Sequence, residues 1–211
     1  MLKNNRSMGY STLDYYNQNA LKVAERYESA DVIQLHDFLL SSLKPGGRLL
    51  ELGCGSGRDA AFMISQGFKV LATDGSASVV EQAKIHHPEL SGHVVHLKLP
   101  GGLSSKLGTY DGIYAVAVLM HLSVQEIEST ISAVNSLLAT KGRFVFSVPA
   151  RRDEVMTNEF DFKGRRFTTL SPEGWKNICL KYNLQIVRTM ISEDGLGRDG
   201  IVWMNCLAEK P

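Results

Sequence analysis

The sequence predicts an α/β fold in which helices cover both faces of a mostly parallel β-sheet. Apolar strand-like runs alternate with helical patterns along most of the chain. The first strand ends in a glycine-rich turn that opens a helix, an arrangement common in this fold class. A glycine-rich segment at residues 194–200 joins the last two strands as a hairpin. A hairpin reverses the chain, so we expect the last strand to be antiparallel in the sheet.

In the first half of the chain, strand one follows the break Pro45-Gly46-Gly47. Strand one itself is predicted at 48–52, after two helices within residues 12–42. The elements predicted after it are a helix at 58–66 that ends at Gly67, a strand at 68–74, a helix at 77–87 that ends before Pro88, and a short strand at 94–97.

In the second half, Ser123 and Glu126 have the spacing of a capping box and predict a helix start. Ser171 and Pro172 form a cap followed by proline at the first helical position. The elements predicted are strands at 110–118, 143–148, 185–192 and 201–209, and helices at 124–139 and from 172 onward.

The composition is typical of one globular domain. The chain has 211 residues, of which 44% are hydrophobic and 21% charged. A net charge of +1 gives no electrostatic attraction to nucleic acid or to an anionic membrane, so both partners are disfavoured. The longest apolar run, residues 113–120, is too short to cross a bilayer.

The cysteines and the N-terminus indicate the compartment. The three cysteines, Cys54, Cys179 and Cys206, are odd in number and widely separated, which favours a reduced, cytoplasmic setting. Residues 1–7 are polar and lack the apolar core of a signal peptide.

The most informative segment is residues 49–59, LLELGCGSGRD. Glycines at 53, 55 and 57 allow a sharp turn and leave the backbone accessible to a ligand. Asp74 lies 21 residues after Gly53 and ends the second apolar run. This is the separation at which nucleotide-binding folds place a carboxylate on a ribose. The segment therefore predicts a site for a nucleoside cofactor.

The glycine spacing distinguishes between cofactors. A dinucleotide fingerprint requires Gly or Ala at position 58, but this chain has Arg58 and places its third glycine at 57. The charge of Glu51 is unfavourable beside a pyrophosphate and suits a cationic ligand, such as the ammonium or sulfonium of S-adenosylmethionine. An NAD-linked oxidoreductase is therefore disfavoured.

On these residues the chain resembles motif I of the class I S-adenosylmethionine-dependent methyltransferases. The resemblance extends over roughly residues 12–209. Segments 119–122 and 141–144 follow the order of the class I methyltransferases, and segments 167–175 and 202–205 are similar to small bacterial methyltransferase-domain proteins of broad substrate class. It implies a Rossmann-like three-layer sandwich with a seven-stranded, mostly parallel sheet in the order 3-2-1-4-5-7-6, the last strand antiparallel. It also implies a single domain over 1–211, made of an N-terminal helical lid (1–44), a cofactor-binding half (45–149) and a substrate-side half (150–211).

The resemblance also implies which residues hold S-adenosylmethionine. The glycine turn would line the methionine and ribose, Asp74 would accept the ribose hydroxyls, and Glu51 would act on the ammonium side. Tyr16 would be a lid residue. The full implied set is Tyr16, Glu51, Gly53, Cys54, Gly55, Gly57, Asp74, Gly75, Ser76, Leu97, Ala117, Val118 and Leu119. Within this set, we expect Cys54 to be a small buried side chain that packs inside the turn. Residues 117–119 would pass beneath the sulfonium.

The chain departs from the family after strand three. Family members often have an acidic residue there for the adenine amino group, but residues 94–100 read VVHLKLP. We expect the adenine to be held by backbone groups and by apolar packing around Leu97 and Leu99. The neighbouring histidines, His86, His87, His93 and His96, are read as a solvated loop and strand, with no metal site.

Several side chains keep two interpretations. His121 is either a general base for methyl transfer or a packed loop histidine. Tyr15 and Tyr16 are either lid residues or, for one of them, ordinary core. The basic residues beyond strand five are either a solvated loop or a contact for an anionic substrate; they are Arg151, Arg152, Lys163, Arg165 and Arg166.

Taken together, the residues and the resemblance predict an enzyme that transfers a methyl group from S-adenosylmethionine to a small-molecule acceptor by in-line displacement, leaving S-adenosylhomocysteine. A more specific form of this expectation is that the small-molecule acceptor is an anion. A methyltransferase acting on RNA or protein and a non-catalytic S-adenosylmethionine-binding protein are the alternatives. The acceptor's identity is left open, as is the choice between monomer and homodimer.

Overall fold

A seven-stranded sheet forms the centre of the fold in the computed structural model, which describes residues 11–153 and 158–211. The strands are β1 (Arg48–Leu52), β2 (Lys69–Asp74), β3 (Val94–His96), β4 (Tyr110–Val116), β5 (Leu138–Arg152), β6 (Gln185–Glu193) and β7 (Ile201–Glu209). Their order is β3-β2-β1-β4-β5-β7-β6, and β7 is antiparallel to both of its neighbours while the other pairs are parallel. The predicted order and the antiparallel last strand are both confirmed.

Seven α-helices surround the sheet in the described ranges, namely α1 (Thr12–Gln18), α2 (Ala20–Glu28), α3 (Ile33–Ser42), α4 (Arg58–Ser65), α5 (Ala77–His86), α6 (Val124–Leu137) and α7 (Pro172–Lys181). None of them is long and apolar enough to cross a membrane. The expectation about residues 1–7 concerns positions outside the described residues.

The prediction of two helices within residues 12–42 is wrong, because the segment forms three. A capping box between Ser11 and Asp14 starts α1. The helix ends at Gln18 because the next residue, Asn19, leaves the helical conformation with φ of −117° and ψ of 17°, and its side-chain amide donates to the carbonyl of Tyr15 at 2.8 Å. A separate helix, α2, follows immediately and ends before residues 29–32.

Two apolar layers hold the helices on the sheet. On one face, α6 and α7 pack Ile131 and Trp175 against Phe144 and Phe146 of β5. On the other face, α3, α4 and α5 pack against alternate residues of the same strands, including Val145. The capping box predicted at the start of α6 is present, with the Ser123 hydroxyl accepting from the Glu126 amide. The three-layer α/β arrangement is therefore confirmed.

Two strand boundaries differ from the prediction. Strand β4 ends at Val116 rather than at 118, because Ala117 has a φ of +54° and turns the chain out of the sheet. Strand β5 begins at Leu138 and extends to Arg152. Its register with β4 shifts between Tyr110 and Gly112, so a bulge near Lys141, whose φ is +58°, separates the early residues from the regular ladder.

Candidate functional site

A cavity of about 830 Å³ lies at the carboxyl ends of the parallel strands. Ligands of open α/β sheets bind at this edge, where the strand order reverses. The turn after β1 and the ends of β2 and β4 line one part of the cavity, and α1, α2 and the β6–β7 hairpin close over it. The volume is within the range of small-molecule sites.

The glycine turn requires the absence of side chains. Gly53 and Gly55 line the cavity with φ values of +74° and +57°. A Cβ on Gly53 would lie 2.5 Å from Cγ2 of Val118, and one on Gly55 would lie 2.9 Å from the Tyr27 ring. Gly57 has a different environment: it lies outside the cavity lining, and a Cβ there would lie 2.5 Å from Cδ1 of Leu90. Gly57 therefore shapes the turn by its packing.

Within the turn, Cys54 lines the cavity and is itself buried. Burial raises the pKa of its thiol well above the ordinary value. A thiol with a raised pKa is a poor nucleophile, in agreement with its interpretation as a small filler. Cys179 and Cys206 are also buried and free of disulfides.

Asp74 lines the cavity at the end of β2. Its carboxylate accepts hydrogen bonds from the amides of Gly55, at 3.1 Å, and Ser76, at 2.8 Å. Burial raises the pKa of Asp74, and these amide donors oppose that effect. The carboxylate therefore fixes the turn after β1 and also faces the cavity.

The residues after Asp74 differ in position. Gly75 lines the cavity, and a Cβ there would lie 2.9 Å from Leu13 of α1. Ser76 lies outside the lining, because its hydroxyl caps α5 through the Val79 amide and donates to Asn17 at 2.6 Å. On the same side of the cavity, Leu97 and Leu99 supply the apolar surface.

Glu51 lies behind the turn, outside the cavity lining, and is 1% exposed. Burial raises the pKa of Glu51 well above its usual range, and the charge of Asp59 adds to this effect. Its Oε2 makes no hydrogen bond within the described residues. The Asp59 carboxylate is hydrogen-bonded to Arg58 Nε and His36 Nε2, each at 2.9 Å. Burial alone would raise the pKa of Asp59, but these bonds outweigh that effect and lower the pKa to about 2.

The segment after β4 approaches the centre of the cavity. Ala117 and Val118 line it, and the Ala117 amide donates to the carbonyl of Ser147 at 3.1 Å. Leu119 points into the apolar core and lies outside the lining. The positive φ of Ala117, which produces this exit, has no counterpart in the sequence pattern.

His121 is half-buried at the cavity wall between two hydrogen bonds. Its Nδ1 lies 2.7 Å from the carbonyl of Arg166, and its Nε2 lies 2.8 Å from the hydroxyl of Tyr16. A carbonyl only accepts, so Nδ1 carries the proton and Nε2 accepts from Tyr16. Burial, together with the positive charges of Arg165 and Arg152, lowers the pKa of His121 to about 4. The imidazole is therefore neutral near pH 7.

The two lid tyrosines have different environments. Tyr16 lines the cavity, whereas Tyr15 lies outside the lining and packs against the guanidinium of Arg165 at 5.0 Å. Burial raises the pKa of Tyr16 well above its ordinary value. Tyr27, which the sequence interpretation missed, donates to the Tyr16 hydroxyl at 3.4 Å and also lines the cavity.

Of the five basic residues from Arg151 onward that the sequence singled out, three are held by neighbouring side chains. Arg165 donates to the Asp161 carboxylate through Nε at 2.9 Å and Nη2 at 2.6 Å. Arg166 pairs with Glu159. The guanidinium of Arg152 lies 3.8 Å from the centre of the Phe167 ring. These three arginines line the cavity, and Arg151 and Lys163 do not.

The β6–β7 hairpin forms a wall that the sequence interpretation recognised only as a connection. Asp194 accepts from Arg198 Nη2 at 2.7 Å and from the Trp203 indole at 2.9 Å. The carbonyl of Gly195 accepts from the Asp31 amide at 2.8 Å, which ties the hairpin to the loop between α2 and α3. Both segments line the cavity.

No set of three or more His, Cys, Asp or Glu residues in the described part of the chain is arranged to hold a metal ion. Of the histidine group near β3, His87 bonds to Glu28 and His96 to the carbonyl of Gly75, each at 3.0 Å.

Comparisons with known proteins identify the family of the chain. The sequence model of a family described as a methyltransferase domain matches residues 24–189. An uncharacterized methyltransferase of Synechocystis sp. is 29% identical over 105 residues, which are 49% of this chain and 47% of that protein. The alignment thus spans about half the length of the curated relative.

Two solved structures support the fold. The 1,6-didemethyltoxoflavin-N1-methyltransferase of Burkholderia thailandensis, with 1,6-didemethyltoxoflavin and S-adenosylhomocysteine bound, is 18% identical and has a TM-score of 0.68, with 93% of this chain and 87% of that chain covered. The [4+2]-cyclase SpnF is 16% identical and has a TM-score of 0.71, with 95% and 96% covered. A cyclase among the neighbours shows that the fold does not fix the reaction. The family model covers most of the sequence, and the chain belongs to the methyltransferase-domain family.

Proposed function

We propose that this protein binds S-adenosylmethionine and transfers its methyl group to a small-molecule acceptor, releasing S-adenosylhomocysteine. One observation carries the proposal: a single cavity contains the glycine turn with Asp74 and, farther along, His121 with its tyrosine and arginine neighbours. The first part suits a nucleoside with a charged tail, and the second is a polar reaction chamber.

The described residues fit the cofactor. Side chains are excluded at Gly53 and Gly55, where Cβ atoms would collide with Val118 and Tyr27. Asp74 offers carboxylate oxygens that accept hydrogen bonds from a ribose diol. Leu97, Leu99 and Val79 give the apolar surface suited to an adenine. When bound, S-adenosylmethionine supplies a methyl group activated by its sulfonium sulfur.

The protein's own contribution is positioning, exclusion of water and acceptance of a proton. Tyr16 and Tyr27 cover the cavity from α1 and α2. The unprotonated Nε2 of His121 is a proton acceptor, and the Tyr16 hydroxyl donates a hydrogen bond to it. We infer that Tyr16 and His121 would take up the proton that an acceptor O–H or N–H loses, while the bound cofactor would supply the methyl group that replaces it.

A small and partly anionic acceptor fits the rest of the cavity. Arg152, Arg165 and Arg166 line it beside His121. An anion bound near Arg165 would also counter the positive charge that lowers the pKa of His121. The Burkholderia neighbour, whose acceptor is a small molecule, supports the same class. The net charge of +1 gives no support for RNA as the acceptor.

Methyl transfer is tested with labelled S-adenosylmethionine and, in separate assays, a library of small aromatic and carboxylic acids, total RNA and total protein, by measuring S-adenosylhomocysteine release and product mass. Turnover of a small compound, lost in Asp74→Ala and kept in the exposed-site control Asp37→Asn, supports the proposal. Binding of S-adenosylhomocysteine with no turnover of any compound favours the non-catalytic alternative. Turnover of RNA or protein alone contradicts the small-molecule assignment.

A further inference from the structure

The cavity continues past His121 onto a polar floor formed by β5, β6 and β7. Ser147 of β5 is the register partner of Asn205 of β7, and Asn205 is the partner of Met190 of β6. Register partners project from the same face of a sheet. Ser147, Asn205 and Ser192 all line the cavity, although Ser147 is 4% and Asn205 1% exposed. Buried polar groups at such positions require hydrogen-bond partners.

The Asn205 amide is oriented by its neighbours. Its Nδ2 donates to the Ser192 hydroxyl at 3.0 Å and to the Met190 carbonyl at 3.4 Å. Both amide N–H groups are thereby used, since a primary amide has two. The group that Asn205 can still offer to the cavity is its Oδ1, which only accepts. The Ser147 hydroxyl makes no hydrogen bond to any of the residues described (11–153 and 158–211).

An aromatic wall stands beside this floor. Trp203 lies two residues before Asn205 on β7, so both side chains project from the same face, about 7 Å apart along the strand. The indole N–H donates to Asp194 at 2.9 Å, and Arg198 holds the same carboxylate. The Trp203 ring is therefore fixed at the cavity rather than free to rotate.

From this arrangement we propose that the acceptor is a flat ring compound that packs on Trp203 and donates an N–H or O–H hydrogen bond to Asn205 Oδ1 and Ser147. The inference rests on the proposed function and adds the substrate class. A carboxylate at the floor would face the lone pairs of Asn205 and be repelled. An anionic group of the acceptor therefore belongs at the arginines, and the donor edge belongs over β5 and β7.

Three probes separate the two features of this class. Quinazoline-2,4-dione is flat and donates N–H bonds, its 1,3-dimethyl derivative is flat without them, and cyclohexane-1,2-diol donates without being flat. Each is titrated calorimetrically into protein saturated with S-adenosylhomocysteine. We expect the dione to bind at least tenfold more tightly than the other two, because the dimethyl compound leaves buried oxygens unpaired and the diol cannot pack on the indole.

The variants are Ser147→Ala and Asn205→Leu, with Ser136→Ala on the exposed side of α6 as the control. We expect the two floor variants to weaken dione binding about threefold to tenfold, with unchanged affinity for S-adenosylhomocysteine. Ser147→Ala removes one hydroxyl and keeps the test valid if Asn205→Leu fails to fold. Equal binding of the three probes, no binding of the dione, or a Ser147→Ala protein that binds it like wild type would overturn the inference. If the wild-type protein does not bind S-adenosylhomocysteine, that result would instead contradict the proposed function.

Discussion

The Tyr16 hydroxyl donates a hydrogen bond of 2.8 Å to Nε2 of His121, across 105 residues of sequence. This bond joins α1, the first element over the cavity, to the turn that leaves β4. The second ring nitrogen of His121 is fixed by the Arg166 carbonyl at 2.7 Å, which sets the tautomer. The lid, the base candidate and the arginine segment are thus one hydrogen-bonded unit.

Tyr16→Phe tests the proton path. The variant keeps the ring but leaves Nε2 of His121 without its donor, so we expect the free energy of unfolding to fall by about 1–3 kcal/mol. If Tyr16 relays the proton, kcat for an acceptor that must lose a proton should fall at least tenfold. Steady-state kinetics measure this effect. Tyr182→Phe is the control, because that hydroxyl bonds to Glu128 outside the cavity. Equal kcat values for wild type and Tyr16→Phe would show that the Tyr16 hydroxyl does not relay the proton.

The neutral state of His121 predicts a pH dependence of stability. Its pKa is about 4 in the folded protein, below the ordinary value of 6.5, so the unfolded chain binds more protons between these values. The folded state therefore loses stability as the pH falls from 6.5 through 4, by about 2.5 kcal/mol at pH 4.5. Urea unfolding at pH 7.5 and 4.5 measures the loss.

His121→Gln is the matched variant for that measurement, because glutamine can still donate to the Arg166 carbonyl and accept from Tyr16. Its unfolding free energy should fall less than that of wild type between the two pH values, by about the same 2.5 kcal/mol. Identical losses in both proteins would mean that His121 is not held neutral by the fold.

Gly195→Ala tests the contact between the β6–β7 hairpin and the α2–α3 loop. An added Cβ would lie 2.2 Å from the Asp31 carbonyl oxygen, so the two backbones must separate. We expect a loss of about 1–3 kcal/mol in unfolding free energy and weaker acceptor binding. Affinity for S-adenosylhomocysteine should change little, because the Asp74 carboxylate is held by the amides of Gly55 and Ser76 and not by the hairpin.

The control for this prediction is Gly101→Ala, because a Cβ at Gly101 meets nothing within 4 Å. Thermal unfolding and calorimetric titration of both variants give the comparison. A Gly195→Ala protein as stable as Gly101→Ala, with unaltered acceptor binding, would show that the hairpin contact is dispensable.

The parallel sheet, the antiparallel last strand and the glycine turn could be predicted from the sequence because they are encoded locally, whereas the strand order was implied by the family resemblance. The alternation of patterns gave the parallel sheet, and the segment 194–200 gave the antiparallel hairpin. The boundary between α1 and α2 was missed because it depends on the non-helical backbone of a single residue, Asn19. The end of β4 was placed two residues late because the positive φ of Ala117 leaves no trace in composition.

Only part of the site could be predicted, because the sequence shows local patterns better than the direction of each side chain. Gly53, Gly55 and Asp74 face the cavity as the spacing implied. Gly57 and Glu51 belong to the same motif yet pack behind the turn, because a motif specifies the backbone path more than the direction of each side chain. The roles of Trp203 and Asn205 depend on strand register across the sheet, which single residues do not reveal.

The most direct test of the central claim is a calorimetric titration of wild type, Asp74→Ala and Asp37→Asn with S-adenosylhomocysteine and, separately, with NADH. We predict that wild type and Asp37→Asn bind S-adenosylhomocysteine, that Asp74→Ala does not, and that NADH binds to none of them. Saturation at a hundred times the dissociation constant should also stabilise wild type by about 2.7 kcal/mol. Binding of NADH alone, or equal binding of S-adenosylhomocysteine by wild type and Asp74→Ala, would contradict the assignment of this cavity.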